Sequence, residues 1–75
     1  MEFDAELDAS GLRCPLPILR TKKALAALES GQVLRVTTTD PGAPHDLVVF
    51  ARQTGHALLL QQTEGDTTVH WLRRR

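Results

Sequence analysis

Phe3, Ala5, Leu7 and Ala9 alternate with Asp4, Glu6 and Asp8, the period-two pattern of a strand with one buried and one wet face. Ser10 and Gly11 interrupt it. From Pro15 the spacing changes: Ile18, Thr21, Leu25 and Leu28 recur at helical intervals, with Arg20, Lys23 and Ala27 on the opposite side, which predicts an amphipathic helix running to Leu28 or Glu29. Gly31 is expected just past its end, where a left-handed residue closes many helices. Val33 to Thr39 is rich in β-branched residues and puts Leu34, Val36 and Thr38 on one side, a second strand. Asp40, Pro41, Gly42 and Pro44 end it. Leu47, Phe50, Ala51 and Thr54 then mark a short second helix, with Pro44 in its first turn and Gly55 after its end. Two further strands, Ala57 to Thr63 and Thr67 to Leu72, flank the hairpin connection Glu64, Gly65 and Asp66.

The order strand-helix-strand-helix-strand-strand restricts the topology. Two right-handed crossovers in succession put both helices on one face of the sheet. The expected fold is therefore an α/β two-layer sandwich with a four-stranded mixed sheet whose other face is solvated, where the acids of the first strand and Arg35 belong. Seventy-five residues make one domain, residues 1–75, with a thin core. So short a chain has too few layers to enclose a deep substrate cavity, which places any chemistry at the surface. Met1, Glu2 and the terminal Arg73, Arg74 and Arg75 are expected to fray.

Charge narrows the function classes. Nine basic side chains balance nine acidic ones, so the overall field gives no reason for direct nucleic-acid binding. One cysteine excludes an intrachain disulfide framework and suits a reducing compartment. Acidic residues stand where a signal peptide needs basic ones, and no stretch is long enough to span a bilayer; a cytoplasmic, non-membrane protein is expected. His45, His56 and His70 lack the short pair spacing of a structural zinc site, and neither metal nor cofactor is expected. Trp71, alternating with Val69, reads as core or edge packing.

Cys14 lies between the first strand and the first helix and is followed by Pro15, Leu16 and Pro17. Proline is tolerated in a first helical turn, where N–H groups have no intrahelical acceptor. Pro15 also biases Cys14 toward the extended backbone of an N-cap. A cysteine at a helix N-terminus, with Arg13 beside it, is expected to have a lowered pKa and to act as a nucleophile. Burial as a small hydrophobe is the usual fate of a lone cysteine. Glycine, arginine and two prolines do not describe such a core site.

Gly11-Leu12-Arg13-Cys14-Pro15-Leu16-Pro17 resembles the C-P-x-P signature of the TusA (SirA-like) sulfur-carrier family, and the similarity runs over almost the whole chain. Asp40-Pro41, Asp46 ahead of Leu47, and Thr54-Gly55-His56 before an apolar strand also sit where that family has comparable elements. The resemblance implies a fold similar to the C-terminal domain of a translation initiation factor. It implies a sulfurtransferase that carries a persulfide sulfur on Cys14, with Arg13, Pro15 and Pro17 supporting the site. Sulfur would arrive from a cysteine desulfurase or a rhodanese-like donor and pass to an acceptor protein of tRNA 2-thiolation, molybdenum-cofactor maturation or sulfur oxidation.

Other charged residues admit two readings. Arg20, Lys22 and Lys23 are either a solvated helix face or, for Arg20 and Lys23, a docking surface for a partner. Asp40 and Asp46 suit turn formation and helix capping, and Asp46 also suits partner contact. The rival to a sulfur carrier is a noncatalytic interaction or regulatory module of the same fold; an RNA-binding domain is a third reading, on fold analogy alone.

Overall fold

In the computed structural model, which describes all 75 residues, the elements follow the expected order: β1 (Ala5–Ala9), α1 (Leu16–Ala26), β2 (Val33–Thr38), α2 (Ala43–Thr54), β3 (Ala57–Glu64) and β4 (Thr67–Arg73). The sheet order is β1-β2-β4-β3. β1 and β2 run parallel, as a crossover through α1 requires, and the remaining pairs are antiparallel.

Both helices cover one face. Ala9 of β1, Leu34 and Val36 of β2 and Leu72 of β4 point into that layer and meet Leu25 of α1 and Leu47 and Phe50 of α2. The β2 alternation holds residue by residue, since Leu34, Val36 and Thr38 are buried and their neighbours are half-buried. Pro17, Thr21 and Leu25 form the buried stripe of α1; Ala43, Leu47, Phe50 and Ala51 form that of α2.

Several local expectations are corrected. α1 stops at Ala26 because its last turn tightens, with Ala27 N–H donating to Ala24 O and Leu28 N–H to Leu25 O. Gly31 therefore does not close the helix. Its positive φ of 88° serves the turn into β2, and its N–H donates to Arg74 O at 2.8 Å. That bond also overturns the fraying of the C-terminal arginines: Arg74 N–H donates to Gln32 O at 2.9 Å and its guanidinium to Leu28 O at 2.6 Å. Arg75 N–H donates to His56 Nδ1.

Phe3 does not continue the buried row of β1. Asp4 bends the chain, its N–H donating to Val33 O and its carboxylate accepting from Val33 N–H. Phe3 instead lies on the open face, 43% exposed, with its ring centroid 5.5 Å from the Arg35 guanidinium carbon. Arg35 also covers Trp71 at 5.6 Å and pairs with Glu6. The open face is thus wet at its edges, while Trp71 at its centre is buried beneath Arg35 and packs as expected. A register shift between Leu58 and Leu60 lets Leu58 face the core while Leu60, paired with Trp71, stands on the open side.

Candidate functional site

The segment between β1 and α1 carries Cys14. Gly11, with φ of 78°, turns the chain away from the sheet, and its N–H donates to Thr39 Oγ1 at 2.8 Å. Leu12 N–H returns to Ala9 O, and the Leu12 side chain packs against the core. Arg13 and Cys14 then emerge exposed. Cys14 thus lies at the expected strand-to-helix junction, and the structure shows that it is exposed there.

The cap differs from expectation. α1 begins at Leu16, and Pro15 is the N-cap residue, with no side-chain cap bond. Cys14 stands one residue further out, joined to Pro15 by a cis peptide. The two prolines diverge in role: Pro15 is exposed, whereas Pro17 is fully buried and anchors the start of the helix. Donors at this helix end are few. Leu16 N–H is bound to Arg13 O at 2.8 Å, and Pro17 has no N–H to offer.

The electrostatics reverse the expected sign. The thiol of Cys14 is pushed above its ordinary pKa, first by partial loss of water around the sulfur and then by Asp46 and Asp40. The negative charges of Asp46 and Asp40 favour the protonated thiol, Asp46 more strongly than Asp40. Both carboxylates crowd Gly42: a Cβ at that position would lie 3.3 Å from an Asp40 oxygen and 3.6 Å from an Asp46 oxygen. Asp46 belongs to the first turn of α2, so the loop after β2 and the start of α2 supply the acidic side of the site. Arg13 supplies a basic neighbour in the cysteine's own loop. Replacing Asp46 by asparagine is expected to lower the thiol pKa and speed alkylation of Cys14 near neutrality. The midpoint of the pH dependence of iodoacetamide labelling measures this, and an unmoved midpoint would show that the carboxylate does not govern the sulfur.

The other expected site residues lie on the surface of α1. Arg20 and Lys23 are exposed and share their face with two apolar residues that the sequence reading passed over, Leu16 at 42% and Leu19 at 54% exposure. A signal for them existed, because both fall off the Ile18, Thr21, Leu25, Leu28 stripe. Lys22 turns toward a separate groove with Gln53, His56 and Arg75. No three His, Cys, Asp or Glu side chains gather where they could hold a metal ion.

A solvent-exposed cysteine one residue before a helix cap, flanked by the Gly11–Pro17 motif, can now be set beside known proteins. The pattern of the sulfurtransferase TusA family matches residues 5–74. The chain belongs to the TusA family. It is 61% identical over 64 residues to the sulfur carrier protein TusA of Allochromatium vinosum, spanning 85% of this chain and 84% of that one. It is 51% identical over 74 residues to a putative sulfur carrier protein of Bacillus subtilis, with 99% of each chain covered. The crystal structure of a SirA-like protein from Desulfitobacterium hafniense superposes with a TM-score of 0.81 at 28% identity, covering 93% of this chain and 96% of that one. Membership in the TusA family bears out the resemblance read at Gly11–Pro17, the α/β sandwich and the sulfur-carrier class; the noncatalytic module is not favoured. No helix is long and apolar enough to cross a membrane.

Proposed function

We propose that this protein relays sulfur as a persulfide on Cys14, residues 1–75 acting as one carrier domain. The observation that carries the reading is the exposed sulfur of Cys14 within the family's own motif. In loading, the Cys14 thiolate attacks the outer sulfur of a donor persulfide. The new S–S bond forms on Cys14, the donor's S–S bond breaks, and the donor cysteine leaves as a thiolate. Unloading is the same exchange in reverse roles: an acceptor thiolate takes the outer sulfur and Cys14 leaves with the electron pair. No net oxidant or reductant is needed.

The raised thiol pKa has a defined effect on this exchange. It reduces the fraction of thiolate in the free protein but makes that thiolate intrinsically more nucleophilic, and a poorer leaving group. Family membership implies partners that donate and accept sulfur. We assign the donor to the cysteine desulfurase or rhodanese class and the acceptor to thiolation of tRNA, molybdenum-cofactor maturation or sulfur oxidation. Arg20 and Lys23, interleaved with the exposed Leu16 and Leu19, provide a mixed basic and apolar face for docking on the helix that follows Cys14, and Asp46 is a further candidate for partner contact. The cytoplasm suits a carrier that depends on one open thiol.

Incubation with a cysteine desulfurase and cysteine, followed by mass spectrometry of the unreduced protein, tests the proposal. Wild type should gain one sulfur that reductant removes, and Cys14→Ala should gain none. Equal labelling of Cys14→Ala, or a wild type that stays unlabelled with desulfurase and rhodanese donors alike, refutes it.

A further inference from the structure

His70 is completely buried in β4, and both of its ring nitrogens are engaged. Nε2 lies 2.7 Å from Thr38 Oγ1 and Nδ1 lies 3.0 Å from Gln61 Nε2. An amide nitrogen only donates, so Nδ1 accepts; the ring proton therefore sits on Nε2 and is donated to Thr38. The same Gln61 nitrogen donates to Pro44 O at 3.0 Å, using both of its protons.

The ends of this chain of bonds are informative. Thr38 is the last residue of β2, and Pro44 is the second residue of α2. His70 thus ties together the two ends of the loop that carries Asp40, and Asp46 stands two residues beyond Pro44. The next residue, Thr39, accepts the Gly11 N–H, which fixes the cysteine segment to the same loop. The buried ring is thus bonded to Thr38 directly and to Pro44 through Gln61, at the two ends of the loop to which the cysteine segment is tied.

We propose that His70, acting through Gln61 and Thr38, is a positioning residue for sulfur transfer: it holds the start of α2, which carries Asp46, in place against the segment that carries Cys14. This rests on reading Cys14 as the sulfur-bearing residue. A burial role alone would require none of these bonds, because Leu or Phe fills a core at lower desolvation cost than a histidine held between two polar partners.

The test reads the thiol's ionisation, through the pH dependence of Cys14 alkylation by iodoacetamide, in variants whose native circular dichroism is checked first. The charged groups that act on the thiol are Asp46 from α2 and Asp40 from the preceding loop, and Arg13 is its exposed neighbour in sequence. Gln61→Met keeps the side-chain shape and removes the bonds to His70 and Pro44; Thr38→Val does the same for the bond from Nε2. Both should move the labelling midpoint down, toward that of Asp46→Asn. Thr38→Ser, which keeps the hydroxyl, should behave as wild type. Adding Gln61→Met to Asp46→Asn should move the midpoint no further. Unchanged midpoints in folded Gln61→Met and Thr38→Val overturn the proposal, as does a Gln61→Met shift of equal size with and without Asp46. Alkylation needs no sulfur donor, so a Cys14 that refuses sulfur would sink the carrier reading while leaving this result readable.

Discussion

Leu47→Ala should remove most of the protein's stability. Leu47 is fully buried and lies in the core cluster with Leu25, Leu34, Phe50 and Leu72. Truncating such a leucine costs about 2–5 kcal/mol, from lost transfer energy and the cavity left behind. A domain of this length has roughly 4–11 kcal/mol to lose, at about 0.05–0.15 kcal/mol per residue, and a thin core puts it toward the lower end. Chemical denaturation should show the midpoint falling sharply at an unchanged slope. A loss below about 1 kcal/mol would mean that the layer relaxes around the gap and that α2 is not pinned there. The consequence reaches the sulfur, because Leu47 follows Asp46 directly and anchors the turn that presents it.

Acid should also weaken the fold, on the order of 2 kcal/mol between neutrality and pH 4. Burial lowers the His70 pKa to about 4, whereas the unfolded chain keeps the ordinary value of about 6.5. In that window the unfolded state binds a proton that the folded state refuses. The contribution is therefore fully present above about pH 6.5 and is lost as the pH falls through the window. His56 acts in the same direction, its pKa lowered by burial and by the nearby Arg75 and Arg74. Denaturation at pH 7 and pH 4.5 measures the slope, and His70→Gln should flatten it. Parallel slopes for wild type and His70→Gln would assign the acid sensitivity elsewhere.

The element order, the helix faces and the hairpin were legible because each depends on neighbours within one element. Leu34, Val36 and Thr38 sit two residues apart, and Leu47, Phe50 and Ala51 mark one helical stripe; periodicity alone orients both sets. Phe3 was misplaced because the bend at Asp4 is made by bonds to Val33, a partner far along the chain that no local pattern names. The bulge near Leu59 was hidden for a similar reason: three successive leucines have no alternation to break.

The site divides along the same line. The position of Cys14 at a strand-to-helix junction was legible from its prolines and from Gly11. The sign of its pKa shift was not, because it comes first from water lost around the sulfur in the folded chain and then from Asp46, on another helix, while the nearest helix amides are bound or missing. His70, Gln61, Thr38 and Pro44 belong to four different elements, so their common purpose exists only in the folded chain. Leu16 and Leu19 were within reach of a stricter reading of the helix, as apolar residues off its buried stripe.

Cys14 is exposed, and so are its neighbours Leu16 and Leu19. A sulfur atom parked there shares its surroundings with every small thiol in solution, and any of them could remove it by the exchange that a proper acceptor uses. Such a protein makes a poor reservoir. On the proposed relay its cargo has a short shelf life, so throughput depends on many copies meeting their partners quickly, and the useful quantity is the time between pick-up and delivery rather than the amount held.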